Sequence, residues 1–276
     1  MIVAALPLER DITQIPTISP ERAEAFTTGG VIVSALIVLF AFVELARRRS
    51  PLLLLCLVGS LGCSLSEPIW DALGGVRFFH GNHTAWTQFP DLAQPIHYPW
   101  WTMCTYTAFG GLACYAFYKA FATRSWRIFV GALIGQAVFN IFLEGFLLTS
   151  LYDYYGEQPW RVGTDFPLWW VPVNYGEMLA GFLLFLAIQY WGPAKGGLAA
   201  IPLVVCSFSA WELWAGWPTY AAINLDIPGG WRVLAAFTST TIAASSAYLM
   251  GKYLFGPVTR EALVAVPRPE REAVPA

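Results

Sequence analysis

Long apolar runs alternate with short polar segments along the chain. Each of seven runs is long enough to cross about 30 Å of hydrocarbon at about 1.5 Å per residue in a helix. These runs cover residues 30–46, 51–70, 101–122, 127–150, 168–191, 197–217 and 231–254. Stretches such as VIVSALIVLFAFVELA lack the period-two alternation of a membrane β-barrel. The pattern therefore predicts an all-α, polytopic membrane bundle of seven transmembrane helices.

The predicted bundle leaves a segment outside it at each end. Residues 1–29 contain several acidic residues and prolines, which is the wrong pattern for a signal peptide, so we expect the first membrane segment to be retained. The last residues combine prolines with mixed charge, a composition typical of disorder. We predict an outer segment at 1–29, a transmembrane domain at 30–256 and a disordered cytoplasmic tail at 257–276.

Composition supports this class of protein. Of the 276 residues, 57% are hydrophobic, 16% aromatic and only 12% charged, whereas a soluble chain has about 25% charged residues. A soluble enzyme, a disordered chain and a disulfide scaffold are therefore disfavoured, and a net charge of -2 gives no reason to expect nucleic-acid binding. The five cysteines lie in apolar stretches without a C-x-x-C pair, so we interpret them as buried hydrophobic residues.

Positive residues near the ends of the predicted helices indicate the orientation. Eleven lysines and arginines lie on one side, counting the loops after helices 1, 3 and 5 and the C-terminal tail, and five lie on the other side. The first side is therefore expected to be cytoplasmic. This places the N-terminus outside and the C-terminus in the cytoplasm, with the longer, aromatic-rich loops outside.

Four glutamates lie inside the predicted helices, where ionisable groups cost several kcal/mol unless they are paired or hydrated. Given the orientation above, all four fall in the outer half of the bilayer: Glu67, Glu144, Glu177 and Glu212. No membrane lysine or arginine is available to neutralise them. Carboxyls crowded in a medium of low dielectric disfavour one another's charge, so at least one is expected to keep a proton and to serve as an acid.

Polar neighbours share helix faces with these acids. Gln136 and Asn140 precede Glu144 at steps of four residues, and Asp71 follows Glu67 by four. Asn174 and Ser209 lie three residues before Glu177 and Glu212. We predict that these faces meet in one polar pocket that opens outward. The alternative is that the polar side chains only join helices through interhelical hydrogen bonds.

All three histidines lie in one predicted outer loop, at His80, His83 and His97. Their spacing is compatible with a zinc site that has an open position. It is equally compatible with histidines that only hydrogen-bond in the loop, since H-x-x-H in a loop fixes no shared face. Asn82-His83-Thr84 also forms a glycosylation sequon. We expect no metal and no other cofactor.

The predicted architecture resembles the integral membrane terpene cyclases known best from fungal meroterpenoid pathways. Members of that family protonate a prenyl chain with an intramembrane acid and guide the carbocation to rings. The resemblance implies that Glu67, followed by Trp70, is the essential acid of helix 2. The second family acid, on the last helix, has no counterpart between Trp231 and Lys252, and the Trp-Glu pair at Glu212 lies on a different helix.

Acid-initiated cyclisation suits the residues of this chain. A prenyl substrate is apolar and reaches the protein from the lipid bilayer, and aromatic faces stabilise a carbocation through their quadrupoles. Candidate substrate-binding residues are the polar Asn140, Gln136 and Asn174 and the aromatic Trp70, Trp101, Tyr106, Tyr175, Trp211 and Trp214. The spacing of the aromatic residues also fits simple packing. Glu144 is the first candidate for the proton donor, because Asn140 and Gln136 extend beneath it on one face. A proton-coupled transporter and an accessory membrane subunit are the competing interpretations.

Overall fold

A computed structural model describes residues 15–88, 95–162 and 166–255. The predicted tail at 257–276 and residues 1–14 of the predicted outer segment lie outside this description. Eleven α-helices occur in the described part: α1 (Pro20–Arg48), α2 (Leu52–Cys63), α3 (Glu67–Gly74), α4 (Trp100–Thr105), α5 (Gly111–Ala122), α6 (Trp126–Phe142), α7 (Trp170–Val173), α8 (Gly176–Leu198), α9 (Ala200–Trp211), α10 (Trp217–Ile223) and α11 (Gly229–Phe255).

Four stretches of helix are long and apolar enough to cross a membrane, at Pro20–Arg48, Trp126–Leu147, Trp170–Leu198 and Gly229–Lys252. The pair α2 and α3 meets the same test as one span bent by 48°, which raises the number to five. The prediction of a mainly helical chain with membrane-length helices is therefore confirmed. The count of seven spans stays a prediction.

The first helix begins ten residues before the apolar run that predicted it. The Ser19 side chain accepts a hydrogen bond from the Arg22 amide, and Pro20 occupies the first helical position, where its missing N–H costs nothing. The helix ends at Arg49, whose backbone is left-handed and whose N–H bonds the Leu45 carbonyl. These caps extend α1 through a polar turn that hydrophobicity alone does not mark.

The described part of the chain contains three π-helical turns, at Tyr106–Gly110, Leu143–Leu147 and Glu212–Gly216. The first joins α4 to α5, the second ends α6, and the third joins α9 to α10. Such turns insert an extra residue and leave backbone carbonyls without their usual partners, and they concentrate at functional sites. Two of the four predicted catalytic glutamates lie in them, Glu144 and Glu212.

Four helices form the closed ring at the centre of the bundle, in which α2 packs on α5, α5 on α8, α8 on α9 and α9 on α2. A glycine lies at each of these contacts, where an added Cβ would come within about 3 Å of the neighbouring helix. Small residues are how helices approach closely in lipid, where no hydrophobic effect drives them together. The four glycines, in the order of the contacts above, are Gly111, Gly181, Gly176 and Gly59.

The loops contain short antiparallel strands, so the chain is mainly but not wholly helical. Strand β1 (Val76–Phe78) pairs with β4 (Tyr152–Tyr154), β2 (Thr84–Gln88) with β3 (Ile96–Pro99), and β5 (Arg161–Val162) with β6 (Phe166–Pro167). The all-α prediction is wrong at these strands. The reason is that runs of two to five residues are too short to give a periodic signal, and β1 and β4 are far apart in sequence.

The loops at this end of the bundle contact one another. Apart from the β1–β4 pairing, Thr17 bridges to His80 and the Asn224 amide donates a hydrogen bond of 2.6 Å to the Leu73 carbonyl. Arg232, at the start of α11, forms an ion pair with Glu157. The start of the described chain therefore meets the loops that contain His80, Glu157 and Asn224 on one side of the bundle.

Candidate functional site

A cavity of about 310 Å³ lies between α3, α4, α5, α6 and the start of α8. Its size is at the lower end of the range for small-molecule sites, which is about 300–1,000 Å³. Aromatic side chains make up much of the wall, including Trp101, Tyr106, Phe109, Phe139, Trp170 and Phe208. Four carboxyls line the same space, those of Glu67, Asp71, Glu144 and Glu177.

The β1–β4 sheet closes one end of this cavity. Because successive strand residues point to opposite faces, Val76 and Phe78 share one face with Tyr152 and Tyr154. All four line the cavity. Arg77 and Asp153, the residues between them, pair directly across the strands and form a two-pronged ion pair, with distances of 2.6 and 2.9 Å. We call this sheet the roof.

Asn82 ties the roof to the cavity wall. Its side-chain nitrogen donates hydrogen bonds to the carbonyls of Phe79 and Leu151, which flank the two roof strands. Its side-chain oxygen accepts a hydrogen bond of 2.9 Å from the indole nitrogen of Trp101. One amide therefore fixes both roof strands relative to an aromatic wall of the cavity.

Glu144 accepts three hydrogen bonds. Tyr152 and Tyr154 both donate to Oε2, the former over 3.1 Å, and the Asn174 amide donates to Oε1 over 3.2 Å. Burial, followed by the charge of Glu144, raises the pKa of the Tyr152 and Tyr154 hydroxyls well above their ordinary value. Both hydroxyls therefore stay protonated and remain donors. Three donors are the partners that an ionised carboxylate requires.

Glu177 has amide partners from α6. The Gln136 side-chain nitrogen donates to Glu177 Oε2 over 2.8 Å and to the Asn174 carbonyl over 2.6 Å. Asn174 in turn donates to Glu144, so one network runs from Glu177 through Gln136 and Asn174 to Glu144. Asn140, which lies one turn from each of Gln136 and Glu144, also lines the cavity. The spacing of four residues on α6 thus predicted a face that does point into the cavity.

Glu67 and Asp71 are buried and are supported differently. They lie one turn apart on α3, and each has a carboxyl oxygen that is fully buried without a hydrogen-bond partner, Glu67 Oε2 and Asp71 Oδ2. The Tyr106 hydroxyl lies beside the Glu67 carboxyl. Burying an ionised carboxylate without donors is costly, and such a group takes up a proton instead.

Glu212 does not line the cavity. It is fully buried at 0% exposure, and its Oε2 accepts a hydrogen bond of 2.5 Å from Tyr220. The Tyr220 ring packs against Trp70 and Trp170, and Trp170 lies between Tyr220 and the cavity. Glu212 therefore does not share the cavity that the other predicted acids line, because equal depth in the bundle does not fix the direction in which a helix face points.

The predicted aromatic residues divide in the same way. Trp101 and Tyr106 line the cavity. Trp70 stacks on Tyr220, the Tyr175 hydroxyl donates to the Leu133 carbonyl, and the Trp211 indole donates to the Pro172 carbonyl. Trp214 is 63% exposed on the outside of the bundle. These last four have packing or surface positions, as the alternative interpretation of their spacing held.

The histidines do not converge on a site. His97 Nδ1 shares a hydrogen bond with Thr87, and His83 Nδ1 lies 3.7 Å from Glu24. The backbone of His80 donates to the Pro16 carbonyl and accepts from the Ile18 N–H. Among residues 15–88, 95–162 and 166–255, no group of three or more His, Cys, Asp or Glu side chains is arranged to hold a metal ion.

The charge of the cavity is one-sided. Within the described chain, the residues that line it include four carboxyls but neither lysine, arginine nor histidine. The arginine nearest in sequence to the lining strands, Arg77, points away from the cavity toward Asp153. None of the described residues that line the cavity therefore supplies a positive charge to neutralise these carboxyls.

Several site residues escaped the sequence analysis. Tyr152, Tyr154 and Phe78 lie in predicted loops, and Asn82 was noted only as part of a sequon. The roof strands alternate in VRF and YDY, where a charged residue separates two apolar or aromatic ones, but three residues are too few for this alternation to predict a strand.

Comparison of the chain with family models, with curated proteins and with solved structures gives no match.

Proposed function

We propose that this chain is an integral membrane enzyme that cyclises a lipophilic, prenyl-type substrate by proton transfer. The observation that carries the proposal is the presence of two kinds of carboxyl on one aromatic cavity. Glu67 and Asp71 have oxygens without donors, whereas Glu144 accepts three hydrogen bonds. An acid and a base therefore face the same substrate.

The proposed reaction is balanced without a cofactor. Glu67 gives its proton to an alkene carbon or an epoxide oxygen of the substrate, and the π electrons of a neighbouring double bond form the new carbon–carbon bond. The final cation loses a proton to Glu144, which leaves an alkene in a product of unchanged mass. Return of the proton from Glu144 to Glu67 through cavity water completes the cycle.

The contacts support both the first proton transfer of the proposed reaction, from Glu67, and the last, to Glu144. The buried Glu67 Oε2 has no donor, which favours the protonated form of Glu67, and Asp71 one turn away disfavours a second charge there. Hydrogen bonds from Tyr152, Tyr154 and Asn174 favour the ionised form of Glu144, which is the form that accepts a proton. This division assigns proton donation to Glu67 rather than to Glu144, which the spacing on α6 had put first.

Aromatic faces fit the intermediate. Trp101, Trp170 and Tyr106 line the same cavity as the carboxyls, and the faces of aromatic rings attract cations.

We further propose the seven-span topology, with the N-terminus outside and the C-terminus in the cytoplasm. Contacts at one end of the bundle join Thr17 to His80, β1 to β4, and Asn224 to Leu73. In the seven-span arrangement, an even number of membrane crossings separates the two partners of each contact, so both partners lie on the same side of the membrane. The excess of positive residues at the opposite end, eleven against five, supports the orientation.

The test is turnover by the full chain in membranes. Membranes that contain the wild-type chain or the Glu67→Gln variant are incubated with plain and with epoxidised prenyl compounds, and products are analysed by mass spectrometry. The proposal expects cyclic isomers of unchanged mass from the wild type and none from Glu67→Gln. Equal product from both membranes, or products only of altered mass, would overturn it.

A further inference from the structure

Two buried polar atoms on α6 have no hydrogen-bond partner in the protein. They are the side-chain nitrogen of Asn140 and the side-chain oxygen of Gln136. Asn140 is only 7% exposed, and both residues line the cavity. A buried polar atom without a partner costs about 1–3 kcal/mol, so such a pair at a cavity wall points to a ligand that supplies the missing bonds.

The contacts of Gln136 fix which atom it offers. Its nitrogen donates to the Asn174 carbonyl and to Glu177, over 2.6 and 2.8 Å, so the amide cannot turn round without losing both bonds. Its oxygen is therefore held as an acceptor. Asn140 offers a donor one helical turn away, where Cβ atoms are about 5–6 Å apart, so one small group reaches both.

We propose that Gln136 and Asn140 bind a hydroxyl group, and that the substrate of this cavity is a lipophilic alcohol and not a pure hydrocarbon. This rests on the proposed function in taking the cavity as the substrate site. A hydroxyl group accepts from Asn140 and donates to Gln136 at the same time. An ether or ketone oxygen only accepts, an ammonium group only donates, and an alkene does neither.

The position of Gln136 and Asn140 determines how a bound alcohol is oriented in the cavity. Gln136 and Asn140 belong to the wall that carries Glu144 and Glu177, whereas Glu67 and Asp71 belong to α3. An alcohol held at the α6 wall is therefore oriented along the cavity, with the rest of its chain directed to the aromatic residues. Binding of one end fixes which double bond meets the acid.

The test compares three ligands that differ in one group. Geraniol, its methyl ether and the corresponding hydrocarbon are titrated into the full chain in nanodiscs, and binding is followed by the fluorescence of the tryptophans, of which Trp101 and Trp170 line the cavity. We expect the alcohol to bind about tenfold more tightly than the ether, and the ether more tightly than the hydrocarbon.

The Asn140→Leu variant keeps the approximate shape and removes the donor. In this variant the affinities for the ether and the hydrocarbon are expected to lie within about twofold of each other, and the affinity for the alcohol is expected to fall about tenfold. Ile134→Leu, at a position on the same helix that is 58% exposed, is the matched control and should keep the wild-type order. Where Asn140→Leu does not elute as a folded species, Asn140→Ala serves for the same comparison.

Equal affinities for the three ligands in the wild type would overturn the inference and would mean that the pair is satisfied by water. A preserved preference in the Asn140 variants would overturn it as well. The binding measurement does not require turnover, so the hydroxyl-binding site and the proposed cyclisation can be refuted independently of each other. Preference for the alcohol without cyclic product refutes the proposed reaction alone, and cyclic product without preference refutes the hydroxyl site alone.

Discussion

The Trp101 indole donates a hydrogen bond of 2.9 Å to the side chain of Asn82, a residue that also bonds both strands of the roof. The Asn82 side chain thus connects Trp101 in the cavity wall to the roof. The arrangement makes Asn82 a positioning residue, since it lies behind Trp101 and is not among the residues that line the cavity.

Replacing Asn82 by leucine is expected to loosen this end of the cavity. The change removes the hydrogen bonds that the Asn82 side chain makes to the Trp101 nitrogen and to the Phe79 and Leu151 carbonyls, at a cost of about 1–3 kcal/mol of unfolding free energy, while the Leu151 carbonyl keeps its bond from the Phe79 N–H. Thermal unfolding in detergent measures the loss. Thr84→Val, which removes the same sequon without removing those three bonds, should leave the unfolding temperature near that of the wild type. An equal loss in both variants would contradict the role given to Asn82.

The Arg77–Asp153 pair is expected to hold the outer face of the roof. Both side chains are largely buried, at 19% and 25% exposure, and the guanidinium contacts both carboxylate oxygens. Such geometry is stronger than that of a surface pair, so a double-mutant cycle with Arg77→Gln and Asp153→Asn should give a coupling of about 1–2 kcal/mol. A coupling near zero would show that the strands pair without help from these charges.

Gly110 is expected to tolerate no side chain. A Cβ there would lie 2.2 Å from the Ser60 hydroxyl, which donates a hydrogen bond of 2.5 Å to the Tyr106 carbonyl in the same π-helical turn. Gly110→Ala should therefore cost about 1–3 kcal/mol of stability. Adding Ser60→Gly should recover part of the loss, because it removes the obstructing hydroxyl.

The matched control is Gly131→Ala on α6, where an added Cβ meets no atom within 4 Å. A glycine inside a helix costs about 0.5–1 kcal/mol relative to alanine, so this change should be neutral or stabilising. Destabilisation by both alanine variants would mean that the effect is not the clash with Ser60.

The proposed topology is tested with reporter fusions. Fusions after Ser50 and after Gly256 are expected to report the cytoplasm, and a fusion after Ser150 the outside, because the odd number of spans separates the termini. A cytoplasmic signal at Ser150 or an external one at Gly256 would contradict the assignment. The same signal at all three positions would reject the seven-span count.

The sequence predicts the helical parts of the site better than the others. The stripe of Gln136, Asn140 and Glu144 follows from a period of four, and its face does point into the cavity. The grouping of Glu212 with these acids rests on its depth and on Ser209 as a polar neighbour, and neither gives the direction in which that helix face points. The roof depends on pairing between β1 and β4, whose contacts are remote in sequence, and π-helical turns arise from tertiary packing and not from local propensity.

The division of labour between the carboxyls predicts different failures for Glu67→Gln and Glu144→Gln. Without the acid, no cation forms, so Glu67→Gln should give no product from plain or epoxidised prenyl compounds. Without the base, the cation forms but is not deprotonated at the usual position, so Glu144→Gln should give fewer cyclic isomers and new products that have gained one water. Mass spectrometry distinguishes these outcomes directly.

Glu212→Gln is the control for loss of a buried carboxyl, because Trp170 lies between the Tyr220–Glu212 pair and the cavity. Turnover by this variant should stay within about threefold of the wild type, a change of less than about 1 kcal/mol in the barrier. Water-trapped products from Glu67→Gln and complete loss from Glu144→Gln would reverse the two roles. Normal turnover by both variants would reject initiation by either carboxyl, since a glutamine in either place has no proton of comparable acidity to give and no charge with which to take one.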